Sequence, residues 1–133
     1  IVKDFDIIVD GTDNFKTKFL INKFSLKYKR KLIVGAISKF DGHIFSFDFN
    51  NKSSPCLKCF YQSEPNDEFL NCESEGILGT TSNIIGSMQA NEVLKTIIGL
   101  KNGLDNQMMI FDSIKINLRK VKLSFNPECK NKC

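Results

Sequence analysis

At 133 residues, 41% hydrophobic and 26% charged, the chain has the length and composition of one globular domain, or of a piece of a larger one, and not of a disordered polymer. The net charge of +4 is spread out. Acidic residues interleave with the lysine-rich stretches Lys27–Lys31 and Lys115–Lys122, so the dense basic face of a nucleic-acid binder is not expected. No apolar run approaches the ~18 residues of a membrane span, and no secretory signal pattern is present, which makes a cytoplasmic protein the expectation.

The chain begins at Ile1 and enters an apolar run within a few residues, an abrupt start expected of a fragment. Phe5–Val9 ends in Asp10-Gly11, the pattern of a buried parallel strand running to a functional edge. Thr12-Asp13-Asn14 offers N-cap chemistry, and Phe15, Phe19, Leu20, Phe24 and Leu26 predict a helix to about Lys29. Strand, loop and helix in this order make half of a βαβ unit. Leu32–Ala36 predicts a second strand. Asp41-Gly42 predicts the turn between Ala36–Phe40 and His43–Phe49. In the latter, Phe45, Phe47 and Phe49 alternate with Ser46 and Asp48, so one face is expected to be buried and the other polar. Antiparallel strands after a parallel unit predict a mixed sheet.

Asn50–Pro55 reads as a polar loop, and Tyr61–Glu75, acidic and without periodicity, as a long loop carrying Cys72. Gly79–Ile98 predicts the longest helix, apolar nearly all round and therefore buried, with Gly86 and Ala90 allowing close packing. Gly99 and Gly103 supply its stop. Met108–Phe111 and Lys115–Phe125 predict the last strands. Apolar alternation changes phase between Leu118 and Val121, which predicts a bulge near Arg119-Lys120.

Two cysteine pairs, Cys56/Cys59 and Cys129/Cys133, stand about seventy residues apart and account for four of the five cysteines. Without a secretory signal, such pairs favour a metal over disulfides, and four thiolates make a closed structural zinc site. The second pair is one residue wider than the usual knuckle. Asp13, at the carboxyl end of the first strand, admits two roles: an N-cap, or a carboxylate facing a Mg²⁺–nucleotide. Cys72 has acidic neighbours that disfavour its thiolate, so locally it reads as an ordinary surface cysteine. His43, the one histidine, has no second histidine or paired nucleophile beside it in sequence and is expected to be structural.

Taken together, Asp-Gly-Thr-Asp-Asn (10–14), Asp-Gly-His-Ile-Phe-Ser-Phe (41–47) and Pro-Cys-Leu-Lys-Cys (55–59) resemble the carboxyl-terminal half of the E1-like activating enzymes of the ThiF/MoeB/HesA family. Cys-Glu-Ser-Glu-Gly-Ile-Leu-Gly (72–79), the 84–95 stretch containing Met-Gln-Ala-Asn-Glu, and the terminal Asn-Pro-Glu-Cys continue the likeness in collinear order. The resemblance implies an α/β fold: residues 1–133 as the mixed-sheet, carboxyl-terminal part of a Rossmann-like E1 domain with a four-cysteine zinc site.

The activity it implies is adenylation of the C-terminal glycine of a ubiquitin-like sulfur-carrier protein by Mg²⁺-ATP, as in thiamine or molybdopterin biosynthesis. A separate sulfur donor, such as a cysteine desulfurase, then serves thiocarboxylate formation, and a homodimer is implied. By the same resemblance Asp13 is the catalytic aspartate near Mg²⁺ and the phosphates, with Asn14 and Lys18 on the nucleotide side. Cys72 matches a cysteine that links covalently to the carrier in some members, and Cys56, Cys59, Cys129 and Cys133 match the zinc ligands. Lys18 stands where arginine is common, which keeps the charge but loses the bidentate fork. The family's glycine-rich nucleotide loop is not among these residues, so the chain alone is expected to be inactive. A non-catalytic E1-like scaffold and a zinc-stabilised interaction module are the rival readings.

Overall fold

The computed structural model describes residues 1–61, 65, 76–100 and 103–131, without the side chains of 130 and 131. Strand β1 (Ile7–Asp10) pairs in parallel with β2 (Lys31–Ser38), and helix α1 (Phe15–Lys27) makes the crossover. β3 (Asp41–Asp48), β4 (Gln107–Asp112) and β5 (Asn117–Lys122) follow antiparallel, giving a five-stranded mixed sheet in the order β1-β2-β3-β4-β5. α2 (Leu57–Phe60) is a single turn and α3 (Gly79–Ile97) the long helix. No helix among the described residues is long and apolar enough to cross a membrane.

The period-2 geometry of a strand splits the core between two faces. Leu32, Val34, Phe45, Phe47 and Met108 point to the α1 face, where Phe15 and Phe19 cover them. Ile33, Ile44, Met109 and Phe111 point to the other, where Ile85 of α3 covers them. β3 is thus buried on both sides, Ser46 included at 0% exposure, and the expected polar face does not exist. The alternation of Phe with Ser and Asp reported one covered face; the second became covered only because α3 docks there.

That docking also displaces the expected turn. β2 and β3 pair from Lys31↔Asp48 to Ser38↔Asp41, so Lys39-Phe40 forms the turn, with Lys39 at φ 47°. Gly42 lies inside β3 for another reason: a Cβ there would fall 2.2 Å from Ile85 Cγ1. The glycine admits the helix; it does not bend the chain.

α3 itself is not buried all round. Thr81, Ile85, Gln89 and Glu92 form the buried stripe, while Leu94 and Ile97 are 59% and 66% exposed. A helix lying on one sheet face hides only one side of its circumference, so the apolar residues elsewhere stay in solvent. Gly86 is exposed, with nothing within 4 Å of its Cβ position, so it makes no close packing contact among the described residues. Gly99, at φ 73°, ends the helix as expected.

The bulge is absent too. β4 and β5 keep one register from Gln107↔Lys122 to Asp112↔Asn117. β5 is an edge strand whose residues are all exposed, so no packed face enforces alternation and its apolar phase carries no register signal.

Candidate active site and metal centre

Asp10, the last residue of β1, is 1% exposed and anchors the loop that follows. Its Oδ1 accepts hydrogen bonds from Thr12 N (2.8 Å) and Thr12 Oγ1 (2.7 Å). Its Oδ2 accepts from Lys18 Nζ at 3.3 Å, and the same ammonium donates to Gly35 O at 2.7 Å. Lys18 reaches there because it lies one turn into α1, on the side that faces the sheet.

The two roles open to Asp13 separate here. Asn14 is the N-cap of α1, its Oδ1 accepting from Thr17 N at 2.8 Å. Asp13 is therefore not the cap: its exposed carboxylate accepts a 3.2 Å bond from Asn14 Nδ2 and lines a cavity of about 220 Å³. Gly11, Lys18, Gly35, Gly86 and Gln89 share that cavity, at the carboxyl ends of β1 and β2 where open α/β sheets bind ligands. Burial pushes the Lys18 ammonium below its ordinary 10.5, while the Asp10 carboxylate and, further off, Asp13 pull it back up.

With Lys18 at 2% exposure, removing its charge strands the Asp10 carboxylate in the interior. Lys18→Met is accordingly expected to cost about 3–5 kcal/mol of folding stability, measured by denaturant unfolding. A loss below about 1 kcal/mol, the worth of a surface pair, would show that the pair is not buried as described.

On the other face, Gln89 Nε2 donates to the main-chain oxygen of Asp10 at 2.9 Å, and a Cβ on Gly35 would lie 2.5 Å from the Gln89 amide carbon. Glu92, one turn further along α3, accepts from Leu104 N at 3.0 Å and pairs with Lys95. Sequence reasoning placed both residues in a motif without assigning either a role. Polar side chains on the buried stripe of an otherwise apolar helix were the available signal.

The cysteines converge at the opposite end of the α1 face. Cys56 and Cys129 are buried, their sulfurs 3.6 Å apart, and Cys59 Sγ lies 4.0 Å from Cys56 Sγ. These separations far exceed the about 2.0 Å of a disulfide and suit thiolates around one tetrahedral zinc, where sulfurs sit about 3.8 Å apart. All three sulfurs fall within 4.8 Å of one another, so the cluster can hold a metal. Asn22 of α1, fully buried, braces the site by accepting from Leu57 N at 3.0 Å. The other expected ligand, Cys133, and the expected reactive Cys72 lie outside the described residues.

His43 belongs to neither site. It is half-buried beside Asp41, Asp112 and Arg119 in a polar cavity of about 290 Å³ along β3–β5. Burial pushes its pKa below 6.5, Asp41 opposes that, and Arg119 adds to it.

The pattern of the ThiF family matches residues 1–131. A sulfur carrier protein adenylyltransferase of Thermus thermophilus is 29% identical over 133 residues, covering 97% of this chain and 49% of the relative. An adenylyltransferase and sulfurtransferase MOCS3 of Drosophila virilis is 35% identical over 131 residues, covering 97% of this chain and 29% of the relative. The chain thus spans half or less of the length of these relatives. Among solved structures, E. coli MccB with ATP superposes with a TM-score of 0.73 at 17% identity, over 92% of this chain and 37% of that one, a likeness of fold.

Proposed function

Because the chain belongs to the ThiF family, we propose that its protein adenylates the C-terminal glycine carboxylate of a ubiquitin-like sulfur-carrier protein, with this chain supplying the Asp13 loop and a structural zinc clamp. The observation that carries this reading is the Asp13 carboxylate, left free of helix capping by Asn14 and facing a cavity at the strand ends. The relatives named above as adenylyltransferases support it.

In the proposed reaction a carboxylate oxygen of the carrier attacks the α-phosphorus of ATP, the bond to pyrophosphate breaks, and an acyl-adenylate forms. Asp13 would hold Mg²⁺, which when bound would neutralise the charge that builds on the phosphates. Asn14 holds the start of α1 and steadies the Asp13 carboxylate through its amide. Lys18 keeps a positive charge under the cavity floor, balanced by Asp10. Cys56, Cys59, Cys129 and Cys133 would hold zinc in a closed structural site with no part in the chemistry.

Carrier-dependent ATP–pyrophosphate exchange by the full-length protein, with a carrier ending in Gly-Gly, tests the reading. Exchange is the expected result. Carrier binding without exchange would instead support the non-catalytic scaffold.

The finer proposals are a cysteine desulfurase as sulfur donor, Cys72 as the site of a covalent link to the carrier, and a homodimer. Cys72→Ser is expected to leave exchange intact and abolish sulfur transfer from the desulfurase; retained transfer would remove the covalent role. The open surface at Gly86 and the exposed Leu94 and Ile97 suit a face against a second copy. A sedimentation mass of one chain would reject the dimer.

A further inference from the structure

The end of β1 is held from both sides of the sheet. From one face, Lys18 of α1 bonds the Asp10 carboxylate and Gly35 O. From the other, Gln89 of α3 donates to the main-chain oxygen of Asp10 and packs onto Gly35, where a Cβ would come within 2.5 Å of its amide. Both helices therefore grip the same two residues, one on each parallel strand. Asp13 follows Asp10 within a single short loop, and Thr12 is tied to Asp10 by two hydrogen bonds. A shift in the Asp10 peptide moves the loop that carries the Asp13 carboxylate.

We propose that Gln89 is a positioning residue for adenylation, holding the Asp10–Asn14 loop so that Asp13 faces the cavity, and that Gly35 lacks a side chain in order to admit it. Gln89 is 8% exposed, and its donated bond satisfies the last carbonyl of β1, beyond which the loop leaves the sheet. A buried amide is an unusual choice for a helix-to-sheet contact that needs only packing: an apolar side chain fills the space without the desolvation cost. What an apolar residue lacks is the N–H that fixes the Asp10 peptide plane. This role rests on the adenylation reading, while the clamp itself does not.

The test uses the full-length protein with Gln89→Met, which keeps length and burial but removes the donor. Hydrogen exchange of the Thr12 amide, which is bonded to Asp10 Oδ1, is expected to accelerate about tenfold or more, with the amides of β3 unchanged. The kcat of carrier-dependent ATP–pyrophosphate exchange is expected to fall about 10- to 100-fold, with KM for ATP held within about threefold.

Gly35→Ala is the second variant, expected to push Gln89 aside and reproduce both effects. The double variant Gly35→Ala/Gln89→Ala is expected to be no slower than Gln89→Ala alone, because the collision is gone once the amide is gone. Unchanged loop exchange in both single variants overturns the clamp. Accelerated loop exchange with wild-type kcat overturns the positioning role. If wild-type protein shows no ATP–pyrophosphate exchange, the adenylation reading fails, and with it the positioning role, while hydrogen exchange still decides the clamp.

Discussion

Asp13→Asn in the full-length protein is expected to lower carrier-dependent ATP–pyrophosphate exchange by about 10²- to 10³-fold, the usual effect of losing one group aimed at charge in a transition state. The substitution is nearly isosteric and keeps an oxygen for the Asn14 amide, so the loop has no reason to move. What disappears is the negative charge that would hold Mg²⁺ against the phosphates. Folding stability is expected to change little, because the Asp13 side chain is exposed and does not cap α1. Asn14→Ala makes the complementary control: it removes the cap bond to Thr17 N and should cost about 1 kcal/mol of stability. A variant Asp13→Asn that retains exchange within about fivefold of wild type would remove Asp13 from the chemistry.

Removing the metal is expected to do the opposite, abolishing the fold before the chemistry. A structural zinc bound by thiolates contributes about 10 kcal/mol or more, as much as the whole stability of an ordinary domain at about 5–15 kcal/mol. The cluster joins the end of β3, through the Cys56 turn, to the chain near Cys129, and Asn22 ties the Cys56 turn to α1. Chelation, or Cys56→Ser, should therefore erase the cooperative thermal transition and loosen α1, whose first turn follows the Asn14 cap. Elemental analysis is expected to return about one zinc per chain. Less than about half an equivalent, or a thermal transition indifferent to chelator, would mean that the thiols are simply part of the core.

Much of this was legible in the residues. Apolar runs ending in turn signals located β1, β2 and β4, and the phenylalanine alternation located β3, because successive side chains of a strand point to opposite faces. Asp10-Gly11 marked the strand end beside which the cavity lies, and the Cys56/Cys59 pair marked two members of the cysteine cluster that can hold a metal. Three misreadings share one cause. Gly42 looked like a turn residue, β3 looked open on one face, and α3 looked buried on all sides; each depends on where α3 comes to rest. The supposed bulge in β5 came from reading register into an edge strand whose residues are all exposed among the described residues.

By itself, then, the sequence determined the five strands and the two long helices, Cys56, Cys59 and Cys129 as residues that can hold a metal, and which family the motifs resemble. These follow from local spacing and side-chain chemistry. Only the tertiary structure decided that Asn14, not Asp13, caps α1, that Lys18 pairs with Asp10 in the interior, and that Gln89 reaches across 79 positions to the same residue. Hydrogen bonds between distant segments leave no periodic trace in a single chain. A glycine such as Gly35 looks the same in sequence whether it bends the backbone or makes room for a glutamine from the helix above.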